Sequence, residues 1–214
     1  MKPALLSPQH LQIAAEILAW TREYLMAENP LIHRPRGSQV VCPFVEASVA
    51  SNHFYMAFHP EVNGKSERHI EDIMFGYVED FLEAQPFESE LELTKALLVV
   101  FPELPEGKTE VLDIVHRRIK PGFVGRGLMV AQFHRRCNER CVYNGGLKIS
   151  SSPHALMAIR HMAIHDILFL NTELTWFKEY NIRFGDKFRD PEKIEDYNKH
   201  LVDLYQRAKN RFGA

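Results

Sequence analysis

The chain has 214 residues, of which 45% are hydrophobic and 25% charged, and its formal net charge is −2. This composition excludes a largely disordered chain, no apolar run approaches the ~20 residues that span a bilayer, and no basic stripe typical of nucleic-acid binders is present. We therefore predict one domain over residues 1–214 with a single core. The N-terminal sequence MKPALLSPQH lacks the apolar segment of a secretory signal, which predicts a cytoplasmic location and cysteines that remain thiols.

The first part of the chain predicts two helices and one strand. Ser7 and Pro8 form a helix-start signal, and the apolar residues that follow at helical spacing predict an N-terminal helix within residues 1–28. Aromatic residues over His53–His59 favour a strand. The stretch Ser66–Ala84 has an apolar residue every three or four positions and predicts an amphipathic helix.

The middle of the chain alternates between strand and helix patterns. Leu93–Phe101 is a continuous apolar run that predicts a buried central strand. Helical spacing returns over Gly107–Lys120, and the glycines over Gly122–Gly127 predict a turn. Gly127–Phe133 then predicts a further strand, with His134 at its exit.

The last part of the chain predicts a surface loop and a terminal helix. Residues 138–152 are polar, contain two adjacent glycines, and predict a loop or lid. Residues 190–212 begin with Asp190-Pro191, a helix-start signal, and predict an amphipathic C-terminal helix. The fold class expected from all these segments is α+β, with a small three- to four-stranded sheet packed by helices and with amphipathic helices at both termini.

Residues 153–170 combine histidines with an otherwise apolar run. As one unbroken helix they would place His154, His161 and His165 within roughly 40° of one another, a face able to hold a metal or a macrocycle. The same residues are also compatible with a short strand up to position 162 and a helix after it. Arg160 lies inside this run and needs a counter-charge, which a substrate carboxylate, a haem propionate or a buried aspartate would supply.

Cys42-Pro43 follows a loop predicted over residues 29–38. A thiolate is both a soft metal ligand and a nucleophile, and the proline restricts Cys42 to an extended conformation. Cys42 is therefore a candidate haem ligand or a candidate nucleophile. A small buried hydrophobic residue is the alternative interpretation.

Three further residues have metal-ligand spacing. His134, Cys137 and Cys141 form an H-x-x-C-x-x-x-C pattern that could hold zinc with one more ligand. The neighbouring arginines and the lack of a C-x-x-C knuckle favour an exposed basic loop instead. His134 alone, at the end of a predicted strand, is the stronger site candidate.

Three sequence elements together resemble a known family. They are CPF at 42–44, GLMVAQFH at 127–134, and SPHALMAIRHM at 152–162 followed by Asp166 and by FL at 169–170. This set resembles an uncharacterised bacterial domain family that is often encoded beside natural-product biosynthesis genes. Ala155 stands where that family has a second proline, and Arg135 where the strand is usually followed by proline. The family is in turn distantly similar to YqcI/YcgG-type domains, some of which are haem-dependent N-oxygenases.

The resemblance implies a haem-dependent oxygenase that oxidises nitrogen or carbon of a small, amino-acid-like substrate in specialised metabolism. It implies that haem binds near Cys42, His134 and His161, with one of these as axial ligand and the two histidines as the candidate metal ligands. Arg160 would face a propionate or the substrate carboxylate. Cys42 and Arg160 are the expected catalytic residues.

Two other functions remain open from the sequence. The CPF element followed by a helix also resembles the active site of glutaredoxin-like and glutathione-transferase domains, which predicts a thiol enzyme that uses Cys42. A non-catalytic ligand-binding module is the third hypothesis. A homodimer is expected from base rates alone.

Overall fold

The computed structural model describes residues 7–34, 39–194 and 196–213. Helices and strands alternate along these residues. The α-helices are α1 (Pro8–Trp20), α2 (Val45–Ala50), α3 (Glu67–Leu82), α4 (Ser89–Glu92), α5 (Val111–Gly125), α6 (Ile167–Leu170), α7 (Leu174–Phe184) and α8 (His200–Phe212). The strands are β1 (Phe54–Phe58), β2 (Ala96–Val100), β3 (Leu128–Phe133), β4 (Arg140–Cys141), β5 (Asn144–Lys148) and β6 (Leu156–His161).

Four of the strands form a mixed sheet in the order β1-β2-β6-β3. Strand β1 pairs in parallel with β2, whereas β6 pairs antiparallel with both β2 and β3. The strand that is last in sequence is therefore inserted between two earlier ones. β4 and β5 form a separate two-stranded hairpin.

Helices α3 and α5 cover one face of the sheet. Ile70, Met74 and Val78 recur along α3 at the helical spacing noted in the sequence, and all three are buried. They pack against the side chains that alternate residues of the strands direct to the same face, among them Val99 and Ile159. This layer is the main apolar core of the protein.

The opposite face of the sheet is covered by α1 and by the segment that follows it. Ile13 and Ile17 of α1 pack against Leu98, Val100 and Leu156. The chain after α1 continues as one turn of π-helix over Thr21–Leu25. A third apolar cluster joins the end of α5 to α6, α7 and α8.

The α+β class, the single domain and the number of strands in the sheet agree with the sequence analysis. Ser7 caps α1 and Ser66 caps α3, because each hydroxyl accepts a hydrogen bond from the backbone N–H three residues later. Of the loop predicted over 29–38, residues 35–38 lie outside the described part of the chain. No helix in the described ranges combines the length and apolarity needed to cross a bilayer.

Three segments differ from their prediction. The turn predicted over 122–127 is wrong up to Gly125, because α5 continues through Pro121 and buries Phe123 and Val124 completely in the cores. The loop predicted over 138–152 contains the β4-β5 hairpin. The helix predicted over 190–212 begins only at His200, and a 3₁₀ turn over Pro191–Lys193 follows Asp190 instead.

The unbroken helix considered for residues 153–170 is also wrong. Leu156–His161 is a strand hydrogen-bonded on both sides, and short 3₁₀ and α-helical turns follow from Ile164 to Leu170. Tertiary contacts override the local helix propensity here, because the run pairs with a strand on each side and buries alternate side chains in the two apolar layers. The three-histidine face therefore does not form.

Candidate functional site

A cavity of about 250 Å³ lies on the face of the sheet that α1 covers. Leu98, Leu156 and Ala158 form its floor, together with Met129 and Phe133. These residues alternate along β2, β6 and β3, so their side chains point away from α3 and α5. The roof comes from the end of the first helical segment, from residues 41–45, from the β4-β5 hairpin and from α6.

The walls of the cavity are mostly apolar, with a small set of polar side chains among them. Large apolar contributions come from Trp20, Phe44 and Phe169. A mostly apolar wall with a few polar groups is the usual construction of a small-molecule site. The chemically active side chains on the wall are Arg34, Cys42, His116, Lys120, Glu139, Cys141, Tyr143, Arg160 and His165.

Cys42 is held at this wall by a hydrogen bond of its backbone. The Cys42 N–H donates to the carbonyl oxygen of Leu25 at 3.0 Å. This hydrogen bond connects Cys42 to the end of the π-helical turn that follows α1. Burial raises the pKa of the Cys42 thiol above its usual value, while the nearby Arg160 charge and the backbone N–H groups of Phe44 and Val45 act in the opposite direction. Burial outweighs these opposing effects, so the thiol is mostly protonated at neutral pH.

Arg160 lies on the same wall, and its guanidinium makes a two-pronged ion pair with Asp166. The Nη1–Oδ2 and Nη2–Oδ1 distances are 2.8 and 2.6 Å. Asp166 also accepts a hydrogen bond from the Ala163 N–H at 2.7 Å and is completely buried. The guanidinium lies 4.2 Å from the centre of the Phe44 ring. Arg160 thus has the buried aspartate as its counter-charge.

His161 lies on the other side of the sheet from Arg160. Consecutive residues of a strand point to opposite faces, so Arg160 and His161 cannot share one site. The His161 ring packs against Phe81 at a centroid distance of 5.2 Å. Burial, together with the charge of Lys95, lowers the pKa of His161 to about 4.

His134 follows β3 and is completely buried outside the cavity lining. Its Nε2 lies 3.2 Å from Oδ1 of Asp113, a residue in the first turn of α5. Cys137 also contacts this oxygen, at 3.8 Å from Sγ. The four predicted site residues therefore separate: Cys42 and Arg160 meet at the cavity, whereas His134 and His161 lie elsewhere.

The predicted H-x-x-C-x-x-x-C set is likewise divided. Cys141 is part of the cavity wall, while His134 and Cys137 meet at Asp113. Within the described ranges, Asp113, His134 and Cys137 are the group whose potential ligand atoms all lie within 4.8 Å of one another. The local spacing identified two of these residues, and the third comes from a helix far away in sequence.

Several residues of the cavity wall were not identified as site candidates from the sequence, among them His116 and Lys120, whereas His165 was already considered there as a metal ligand. His116 and Lys120 are four residues apart on α5 and so lie on one helix face, a signal that the sequence did contain. Burial lowers the pKa of His116 and of His165 to about 4. Burial also lowers the pKa of Lys120, whose ammonium lies 4.0 Å from the centre of the Trp176 ring.

Comparison with known proteins gives a family but no activity. Neither the curated proteins nor the solved structures contain a match to this chain. The model of one family, described as a domain of unknown function, DUF6875, matches residues 14–195. This range includes the sheet, the Cys42 cavity and the Asp113 cluster, and the match carries no link to haem N-oxygenases. Because the match covers most of the 214 residues, the chain belongs to the DUF6875 family.

Proposed function

We propose that this chain is an enzyme that binds a small, largely apolar, amino-acid-like molecule in the cavity beside Cys42. The observation that carries the proposal is the position of the Cys42 thiol on the wall of a mostly apolar cavity. Arg34 and Lys120 add positive charge to this wall and Glu139 adds negative charge, a combination suited to a molecule with both a carboxylate and an amino group.

A haem-dependent oxygenase is the activity that we propose first. Among the possible iron ligands on the cavity wall, Cys42 is the one that we propose for haem, since a thiolate is a soft ligand and the apolar walls suit a porphyrin. Arg160 would stabilise the negative charge of the thiolate. Bound haem would supply the activation of dioxygen for oxidation of the substrate.

The size of the cavity limits how haem could enter. Its volume of about 250 Å³ is below the roughly 300–1,000 Å³ typical of pockets for drug-sized ligands. A small amino-acid-like molecule fits such a space, whereas a complete haem requires part of the roof to move outward. The roof segment 41–45 includes Cys42 itself, so haem binding is expected to change the environment of residues on this segment.

Titration of the purified protein with haem tests this activity. We expect a Soret band that saturates at one haem per chain, and we expect Cys42→Ala to shift the band or to weaken binding at least tenfold, because the thiolate that would bind the iron is lost. His161→Phe is the matched control. Its side chain lies on the opposite face of the sheet, so the Soret band should be unchanged. A protein without stoichiometric haem binding, or one in which Cys42→Ala changes neither the Soret band nor the affinity for haem, would overturn the haem proposal.

A thiol enzyme is the second candidate. The specific observation in its favour is that the backbone N–H groups of Phe44 and Val45 and the charge of Arg160 all stabilise the Cys42 thiolate. Against this, burial raises the Cys42 pKa, so the reactive form is scarce at neutral pH until a substrate or a movement of the roof changes the balance.

The rate of alkylation of the cysteines separates the two candidates. At pH 7 we expect iodoacetamide to modify Cys42 more slowly than a free thiol, and the rate should increase with pH, because burial raises the pKa of Cys42. Mass spectrometry assigns the label, and Cys137 is the internal control because it is 1% exposed and burial raises its pKa to about 11. Rapid stoichiometric labelling of Cys42 at pH 7 would support the thiol enzyme instead.

A further inference from the structure

We propose that Asp113, His134 and Cys137 bind a zinc ion, with a water molecule as the fourth ligand. The side chains of these residues offer one carboxylate oxygen, one imidazole nitrogen and one sulfur. Zinc binds all three ligand types, usually in tetrahedral geometry. None of the three residues lines the Cys42 cavity, so this site is independent of the proposed enzymatic function.

The distances between the donor atoms suit a single ion. The Nε2–Oδ1 distance between His134 and Asp113 is 3.2 Å, and the Sγ–Oδ1 distance between Cys137 and Asp113 is 3.8 Å. The ligand atoms of a tetrahedral zinc ion lie roughly 3.3–3.7 Å apart, given bond lengths of about 2.0–2.3 Å. The ligand atoms of the three residues all lie within 4.8 Å of one another, so shifts of the side chains, without a change of the fold, bring them into a coordination shell.

The charges at the cluster also suit a divalent cation. Zinc binding releases the proton of the Cys137 thiol, and the carboxylate and thiolate together then balance the two charges of the ion. A neutral complex is tolerated in a buried position, which matters because His134 and Cys137 are 0% and 1% exposed. The adjacent Arg135 and Arg136 do not oppose this, since their charges are balanced by ion pairs with Glu106 and Glu110.

The surroundings of the cluster bear on how the ligands would be held. The other ring nitrogen of His134, Nδ1, faces away from the proposed ion and is buried without a hydrogen-bond partner in the described part of the chain. A histidine that binds a metal usually donates its second N–H, so we expect a bound water molecule at Nδ1. The Gln132 amide donates to Oδ1 of Asp113 at 3.1 Å and so fixes the carboxylate from outside, as the supporting residues of metal sites do. Asp113 is 26% exposed, which gives water access to the fourth position.

Metal analysis and cobalt spectroscopy test this site. We expect the protein, purified without chelator, to contain one zinc per chain. After removal of zinc with EDTA, addition of Co²⁺ should give a thiolate-to-cobalt charge-transfer band in the near ultraviolet. Asp113→Asn should weaken metal binding at least tenfold, because a carboxylate ligand is lost. A Cys137→Ser variant should lose the band.

A second variant keeps the test decisive if Cys137→Ser does not fold. A chain in which Cys42 and Cys141 are both replaced by serine retains Cys137 as its only thiol, and it should keep the full cobalt band. Absence of the band from the unchanged protein would overturn the proposal. Loss of the band in the double variant would also overturn it, because the thiolate ligand would then be Cys42 or Cys141.

Discussion

Replacement of Asp166 by alanine is expected to reduce the free energy of unfolding by about 3–5 kcal/mol, the range measured when one partner of a buried ion pair is removed. Asp166 is completely buried and holds the Arg160 guanidinium through two short contacts, and it accepts the Ala163 N–H as well. The variant leaves a mostly buried positive charge without its partner. Urea unfolding of the two proteins at pH 7.5 measures the difference.

An exposed ion pair of similar geometry provides the control. Arg126 contacts both carboxylate oxygens of Glu79, but the two side chains are 48% and 62% exposed. Solvent and salt screen such a pair, so Glu79→Gln is expected to change the unfolding midpoint much less than Asp166→Ala. Equal effects of the two substitutions would show that the buried pair has no special role in stability.

Acidification from pH 7.5 to pH 5 is expected to destabilise the protein by a few kcal/mol. Burial lowers the pKa of His116, His161 and His165 to about 4, whereas an unfolded chain has histidine pKa values near 6.5. Between these two pH values the unfolded state binds more protons, so stability falls as pH falls. Each histidine contributes about 1–2 kcal/mol once partial solvent access is taken into account. Urea unfolding at several pH values measures the trend.

The charged neighbours of these histidines do not reverse the direction. Lys95 beside His161 lowers the pKa further, and Lys120 does the same for His116. For His165 the negative charge of Asp166 opposes burial but does not outweigh it.

His161→Phe isolates one of the three contributions. Phenylalanine keeps the ring contact with Phe81 and cannot be protonated, so the loss of stability between pH 7.5 and pH 5 should be smaller than in the unchanged chain. His69→Gln replaces an exposed histidine and should leave the pH dependence unaltered. An unchanged pH dependence in His161→Phe would mean that this ring is already protonated, or accessible, in the folded protein.

The fold was predictable wherever a local signal determines the local structure. Ser7 and Ser66 cap their helices through hydrogen bonds that span three residues, and the apolar run around Val99 is long enough to need a central strand. Two segments were not predictable in this way. Pro121 and Gly122 favour a turn locally, yet the burial of Phe123 keeps the helix intact. The sequence around His161 is compatible with both a helix and a strand. Only the pairing of this segment with β2 and β3 decides between the two.

The candidate site was predictable only in part, for the same reason. The Cys42-Pro43 dipeptide is recognisable in the sequence as a possible thiolate site, and Arg160 is recognisable as a charged residue within an apolar run. The separation of Arg160 from His161 depends on the strand, and the meeting of His134 with Asp113 depends on how α5 packs beside β3. Neither arrangement can be predicted from the spacing of residues in the sequence.

The position of β6 also determines the order in which the sheet can be completed. In the finished sheet β2 and β3 both pair with β6, which is synthesised after both of them. Until Leu156–His161 is available, β3 has no partner in the main sheet and the inner edge of β2 stays open. Open strand edges with apolar side chains attract other chains, so the partly made protein is most prone to aggregate before these six residues enter the sheet. During synthesis, the sheet, and with it the floor of the Cys42 cavity, cannot be completed before β6 has been made.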